Sequence, residues 1–313
     1  MQTYIIRRIL ATIPVMLVVV LFVFSLLRLA PGDPAAVIAG DYAQPGDIER
    51  IRHQLGLDEP IITQLVIWLG RLAHGDLGVS IFSNLPVTKL IGQRMEPTLA
   101  LTLTTMVFAV VLAVPMGVLA AWRAGTWVDR LVMVFAVAGF SFPVFWLGFL
   151  LIYTFSVQME VLPVQGYKSI SEGLVPFLQH IALPTVTLGL VYMALIARIT
   201  RASVLEVLNE DYIRTAHSKG LNPRDVLWGH ALKNASVPIV TIIGVGVALL
   251  IGGVVVTESV FAIPGLGRLT VDAILHRDYP VIQGIILIFS AAYVLVNLVV
   301  DLTYTLLDPR IRY

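Results

Sequence analysis

Cysteine is absent from the 313 residues, and charge is scarce: Asp, Glu, Lys and Arg together make up 13%. Without cysteine there is no disulfide, no Cys-ligated zinc and no iron–sulfur cluster, although the compartment stays open. A soluble domain usually carries about 25% charged residues in its polar shell, so roughly half of that shell is missing. The net charge is only +1 at pH 7, which excludes the strong basic excess that nucleic-acid binding requires. No Gly-x-x-x-x-Gly-Lys-Ser/Thr loop is present to cradle phosphates with its backbone amides, and no His-Glu-x-x-His zinc motif. The six histidines, His53, His74, His180, His217, His230 and His276, fall outside the cores of the long apolar runs. A membrane serine protease built on Ser141 in Gly139-Phe-Ser141-Phe would therefore lack the base its nucleophile needs.

What is abundant is apolar: 58% of residues, with a mean hydropathy of +0.88. The charges cluster between long apolar runs, as a lipid solvent demands, because a charge at the centre of a spanning helix costs roughly 2.5 kcal/mol or more. A span needs about 20 mostly apolar residues, and six segments qualify: 9–30, 98–121, 131–157, 181–198, 237–258 and 282–306. The first follows Arg7 and Arg8 as a signal peptide would, but it is longer than a signal core. Leu29-Ala30-Pro31-Gly32 follows it in place of a small-x-small cleavage site, so it reads as an uncleaved span. The segments share no fixed repeat. The fold class is all-α: a polytopic membrane protein with six transmembrane helices. Pro14, Pro115, Pro143, Pro184 and Pro238 fall inside spans, where each frees a carbonyl and is expected to kink its helix.

Orientation follows from the basic residues. An even number of spans puts both termini on one side. Taking that side as cytoplasmic places Arg7, Arg8, Arg123, Arg130, Arg198, Arg201, Arg214, Lys219, Arg224, Lys233, Arg310 and Arg312 there, the majority of the 21 Lys and Arg. The acids Asp33, Asp41, Asp47, Glu49, Asp58, Glu59, Asp76, Glu96, Glu160, Glu172, Asp272 and Asp278 then lie outside. The chain divides into a tail and first span (1–30), an external segment (31–97) and a five-helix core (98–313) with a cytoplasmic loop at about 199–236. Within 31–97, one helix is predicted from Pro45-Gly46-Asp47 through Ile48, Ile51 and Leu55 to Gly56. A second covers Ile61 to Ala73, with Ile62, Leu65, Val66, Leu69 and Leu72 at helical spacing. Such stripes are packing or membrane-surface faces first; a rim that receives an external partner is the alternative.

The loop from Glu210 to Pro238 is locally over-specified. A helix is predicted from about Glu206 to Lys219, with Gly220 as its left-handed cap and Leu221 folding back as the apolar partner. Asn222 caps a second helix, Pro223 takes its first turn, and Asp225 stands near a capping box. Val226, Leu227, His230, Ala231 and Ala235 form the face of that second helix. The product is a rigid knob below the membrane, suited to transmitting force from another protein.

At these residues the chain resembles the permease subunits of ABC importers of the dipeptide, oligopeptide and nickel group. The resemblance also covers Tyr4-Ile-Ile-Arg-Arg-Ile-Leu10, Leu29-Ala-Pro-Gly-Asp-Pro34, Leu55-Gly-Leu-Asp-Glu-Pro60, Gly75-Asp-Leu-Gly-Val-Ser80, Glu258-Ser-Val-Phe-Ala-Ile-Pro-Gly-Leu-Gly-Arg268 and Leu307-Asp-Pro-Arg310. The general loop of such permeases reads Glu-Ala-Ala, three residues, Gly, and later Ile-x-Leu-Pro. Here Arg214-Thr215-Ala216 replaces the first three, Gly220 is kept, and His230-x-Leu232-Lys233 replaces the end.

The resemblance implies a bacterial inner-membrane, multi-pass subunit that is not itself an enzyme. It implies a second permease, similar but non-identical, two ATPase subunits that carry ATP and Mg, a periplasmic solute-binding protein, and surrounding lipid. No cofactor would bind this chain and no metal site is implied. The coupling residues would be Asp211, Tyr212, Arg214, Thr215, Ala216, Lys219 and Gly220. Candidates for the pathway or for contact with the binding protein are Glu258, Ser259, Phe261, Pro264 and Asp301. Glu258 has two readings, a carboxylate facing a peptide amine or a helix-end group in headgroup water, and Asp301 is expected to take a structural partner. Gly244, Gly246, Gly252 and Gly253 allow close helix approach, read as packing against the partner permease. Dipeptides, longer peptides, nickel chelates, glutathione-like molecules and opines all fit as cargo. An ion-gradient transporter is the rival class, but it would want paired charges or broken helices near mid-membrane and would leave the knob without a role.

Overall fold

A computed structural model describes residues 2–29, 34–39 and 44–307. Ala30 to Asp33, Asp41, Arg310, Arg312 and the Asp-Pro of the terminal motif lie outside the described residues. In chain order the helices are α1 (Gln2–Leu29), α2 (Pro34–Ala39), α3 (Pro45–Leu55), α4 (Ile61–Ala73), α5 (Val87–Trp122) and α6 (Trp127–Ser141). Then come α7 (Val144–Leu151, continued by a π-helical stretch Ile152–Gln158), α8 (Leu174–Leu208), α9 (Asp211–Ser218), α10 (Pro223–Asp225) and α11 (Leu232–Asn234). The last three are α12 (Ser236–Val260), α13 (Leu266–Leu275) and α14 (Tyr279–Leu307). Among the described residues no strand forms.

Four helices, α1, α5, α8 and α14, are long and apolar enough to cross a membrane, and two bent pairs bring the number of spans to as many as six. The third predicted segment is not one rod: α6 and α7 meet at 101°. Pro143 causes this, because its ring forbids the helical region to the residue before it, and Phe142 is extended at φ −91°, ψ 135°. Pro14, Pro115 and Pro184 sit inside continuous helices instead, and Pro238 falls in the first turn of α12, where a missing N–H costs little.

The second span begins earlier than hydropathy indicates. α5 starts at Val87, so the expected boundary at Pro97 falls in mid-helix. Its first turns are amphipathic: Val87 and Ile91 are buried against Leu266, Leu269, Val281 and Ile285 of α13 and α14, while Lys89, Gln93 and Glu96 face outward. A stripe of that kind is invisible to an average over 20 residues.

The core is built on the pair α5 and α8, with α12 laid across it; Leu101, Leu188, Ile196 and Leu250 are fully buried there. α1 runs antiparallel to α14. The Arg8 guanidinium pairs with Asp301 at one end, and Gln283 Nε2 donates to the Val23 carbonyl (2.9 Å) near the other. The first and last spans thus begin and end on the same side, as an even number of passes requires. Asp301 has the structural partner expected of it. Three of the four α12 glycines allow close approach within this chain: Gly244 faces Val300, Gly246 faces Met106 and Gly253 faces Leu188, while Gly252 looks into open space.

Candidate functional site

Two places bear on function, at opposite ends of the bundle. The first is the elbow between α8 and α12. α8 continues without a break to Leu208, and Asn209 and Glu210 separate it from α9. The predicted start at Glu206 is therefore five residues early, because Val204 and Leu208 still have apolar neighbours in Val118, Ala121 and Ile239. The glycine of the cap is as the sequence predicts, while Leu221, expected to fold back as its apolar partner, is exposed. Gly220 has φ +79°. Its N–H donates to His217 O (2.9 Å) and the Leu221 N–H to Ala216 O (3.3 Å), the paired bonds of a Schellman ending. Asn222 then accepts from the Arg224 N–H (3.3 Å) and Pro223 stands at the first turn. The reciprocal Asp225 half of a capping box is not formed.

The elbow has two faces. Ile213 and Ala216 of α9 are buried against Val226 and Ala231, with Val207 and Leu208 beside them. Leu227 and Ala235 continue the contact onto Val118, Ala121, Val204 and Ile239. A push on α9 thus meets side chains of α5, α8 and α12 with no soft layer between, and close-packed apolar contacts transmit displacement because they compress little. The outer face carries Asp211, Tyr212, Arg214, Thr215, Lys219 and Gly220, all exposed. Arg214 and Asp211 form an exposed i,i+3 pair at 3.2 Å. Burial, helped by the Glu210 charge, raises the Tyr212 phenol above its ordinary range, against a hydrogen bond with Asn234. Ala216 departs from the expected contact set: at 8% exposure it belongs to the inner face. Of the residues grouped on the face of the second helix, His230 is exposed while Val226, Leu227, Ala231 and Ala235 are buried.

Asp129 and Arg201 were not singled out from the sequence. Asp129, 4% exposed on α6, accepts from the Gly125 N–H (2.9 Å) and from both forks of Arg201 on α8, with Nη2 at 2.7 Å. The available signal was one acid in a short loop flanked by Arg123 and Arg130. The pair ties the α5–α6 turn to the stem of the elbow.

The second place is the far end of α12. Glu258 is fully buried, so neither a free position in headgroup water nor a contact with passing cargo describes it. Its Oε1 accepts from the Thr98 hydroxyl of α5 (2.6 Å) and its Oε2 from the Arg268 N–H (2.9 Å), with the Gly267 N–H as a further donor. Thr98 Oγ1 in turn accepts from the Leu266 N–H (2.7 Å). These three amides open α13, whose N-terminus would otherwise bury unsatisfied donors. Glu258 is thus a remote cap that fastens α12, α13 and α5 together. The glycines of the Pro264-Gly-Leu-Gly-Arg268 loop make room for it: a Cβ on Gly265 would fall on the carboxylate, and one on Gly267 would lie 2.6 Å from Val255 Cα. Phe261 is buried and accepts from the Gly166 N–H (2.9 Å), while Ser259 and Pro264 are exposed. On this side Tyr167 and Ser169 both donate to Glu96 (3.1 and 2.5 Å), and burial together with the Glu96 charge moves the Tyr167 phenol up to about 12. Among the described residues no group of His, Asp and Glu is arranged to hold a metal ion.

Up to six apolar spans with a capped, apolar-packed elbow at one end define a multi-pass membrane subunit. The chain belongs to the family described as binding-protein-dependent transport system inner membrane component, whose model matches residues 113–313, while the model for the N-terminal part of such a membrane component matches 1–102. It is 55% identical over 313 residues, the whole of both chains, to the probable peptide ABC transporter permease protein y4tP of Sinorhizobium fredii. It is 47% identical, again over both full lengths, to the glutathione transport system permease protein GsiC of Escherichia coli O6:H1. Among solved structures, a chain of the inward-facing MetNI methionine ABC transporter superposes with a TM-score of 0.57 at 19% identity, covering 71% of this chain and 97% of that one. The chain is an inner-membrane permease subunit of an ABC importer, a transporter component without an ATPase site of its own, and it works in a complex with ATPase and binding-protein partners.

Proposed function

We propose that this permease forms one half of a translocation pathway for short peptides, glutathione-like tripeptides included, with both termini and the elbow in the cytoplasm. The observation that carries the cargo reading is full-length similarity to a peptide permease and a glutathione permease. The basic bias of the elbow end supports the orientation. The exposed face of α9, from Asp211 to Lys219, docks in a groove of an ATPase subunit that binds ATP and Mg, and the inner face carries closure of the two ATPases into α5, α8 and α12. A similar, non-identical permease completes the pore, and a periplasmic binding protein delivers cargo to the end where Ser259 and Pro264 are exposed. Glu258 and Phe261 have no direct part in the pathway in this reading; they hold its rim.

The test is to purify the assembled complex with its binding protein and identify the retained solute by mass spectrometry. Peptides of a few residues are expected, together with uptake into vesicles that stops when the ATPases are inactivated and survives an uncoupler. Retention of nickel chelates or opines would overturn the cargo reading, and uptake that persists without ATP hydrolysis would overturn the coupling.

A further inference from the structure

Between α3, α4 and the 76–84 loop lies a cavity of about 850 Å³ at the end of the bundle opposite the elbow. Its charge is one-sided. Arg28, Arg50, His53 and Arg71 line it, against one acid, Asp76, whose carboxylate is occupied by the Gly78 N–H at 2.8 Å. Arg50 and His53 have carboxylates nearby in Asp47 and Asp58. Arg28 and Arg71 do not, among the described residues. Arg28 is half-buried and held by neutral acceptors, the Gln64 amide oxygen and the Phe24 carbonyl (2.8 Å), with its guanidinium 3.5 Å over the Phe24 ring. A half-buried guanidinium held by neutral groups, with no carboxylate partner among the described residues, keeps its charge uncompensated, and the N–H groups not taken by Gln64 and Phe24 suit phosphate oxygens.

The surroundings say where the anion comes from. α4 walls the cavity with Trp68 and Arg71, and with Leu69 and Leu72 it borders an apolar groove of about 410 Å³ against Ile13, Met16, Leu17 and Val20 of α1. The same helix leaves Ile61, Ile62 and Val66 exposed at 63% or more. An apolar helix with exposed isoleucines, a Trp and a terminal Arg laid along a span is a lipid-facing element. A soluble anion would have no use for the groove.

We infer that the Arg28–Arg71 cavity and the α1–α4 groove together bind an anionic phospholipid, the phosphate of its headgroup at the two arginines and an acyl chain along Ile13 to Val20. The N-terminal segment then acts as a lipid clasp that fixes α1 and α4 against the bundle. This site is independent of the cargo.

The assembled transporter is reconstituted in nanodiscs of phosphatidylcholine doped with phosphatidylglycerol, and the lipid retained on extraction is measured by native mass spectrometry. Phosphatidylglycerol is expected to be enriched over its share. Arg71→Gln, a change at a side chain with no hydrogen bond or ion pair among the described residues, lowers the enrichment about fivefold, the effect of removing one cationic contact near a membrane surface. Arg28→Lys, which keeps the charge and loses the fork, lowers it less. Arg123→Gln, at the other end, leaves it unchanged, and an excess of inorganic phosphate leaves the lipid in place. The inference is overturned if wild-type retention follows bulk composition, if Arg71→Gln retains as much as wild type, if Arg123→Gln falls equally, or if inorganic phosphate displaces the lipid.

Discussion

Gly220→Val is expected to give a complex that inserts and assembles but transports at less than about a tenth of the wild-type rate. The reason is the backbone. Gly220 has φ +79°, and no atom lies within 4 Å of where a Cβ would stand, so the obstacle is conformational rather than steric crowding. A β-branched residue at positive φ is strained by roughly 1–3 kcal/mol. That strain is relieved by undoing the turn, which releases the Gly220–His217 and Leu221–Ala216 bonds and lets α9 swing away from Val226 and Ala231. Insertion depends on the spans, which are untouched. The measurement is paired: uptake in vesicles and the cargo-stimulated part of ATP hydrolysis. Both should fall together while basal hydrolysis by the ATPase subunits remains. Gly220→Asn, which tolerates the left-handed region, should recover much of the loss. Wild-type uptake by the valine variant would remove the elbow from the mechanism.

The second large effect is at Glu258. Glu258→Ala removes the acceptor for the Thr98 hydroxyl and for two amides of α13, and each buried donor left without a partner costs roughly 1–3 kcal/mol. Assembly should drop several-fold, with a melting temperature in detergent lower by several degrees. Glu258→Gln keeps one acceptor oxygen but turns an NH₂ toward amide donors, so it should fall between. Gly265→Ala, which leaves the carboxylate in place and intrudes on it, should reproduce the loss. Complexes that do assemble should show an unchanged KM for cargo. Normal assembly of Glu258→Gln with a shifted KM would return the carboxylate to the pathway.

These two positions show what the sequence could and could not disclose. Gly220 was legible because its neighbours are local: a helix, a glycine, then Asn-Pro within three residues. Helical caps are written in consecutive residues. Glu258 was legible as unusual, an acid at the end of an apolar run, but its partners Thr98 and Arg268 come from two other elements, and only the folded chain brings them together. The bend at Pro143 follows from one residue and its predecessor, yet a 27-residue apolar run concealed it. The early start of α5 escaped for the reverse reason, since its buried side is only a stripe. Asp129 needed Arg201, 72 residues away. Short-range chemistry sets caps and breaks, whereas capping across elements and buried ion pairs depend on tertiary contacts that no spacing rule contains.

The cytoplasmic position of α9 and its grip by a separate ATPase can be read from one engineered thiol. The chain has no cysteine, so Thr215→Cys, exposed on the outer face of α9, places a single thiol at the point of contact. In intact spheroplasts a membrane-impermeant maleimide should leave it unlabelled, inverted vesicles should label it, and a short bifunctional reagent should join it to an ATPase subunit with a yield that changes when ATP is bound. Labelling from the periplasmic side, or a thiol in inverted vesicles that never joins an ATPase subunit, would show that α9 is not the coupling element.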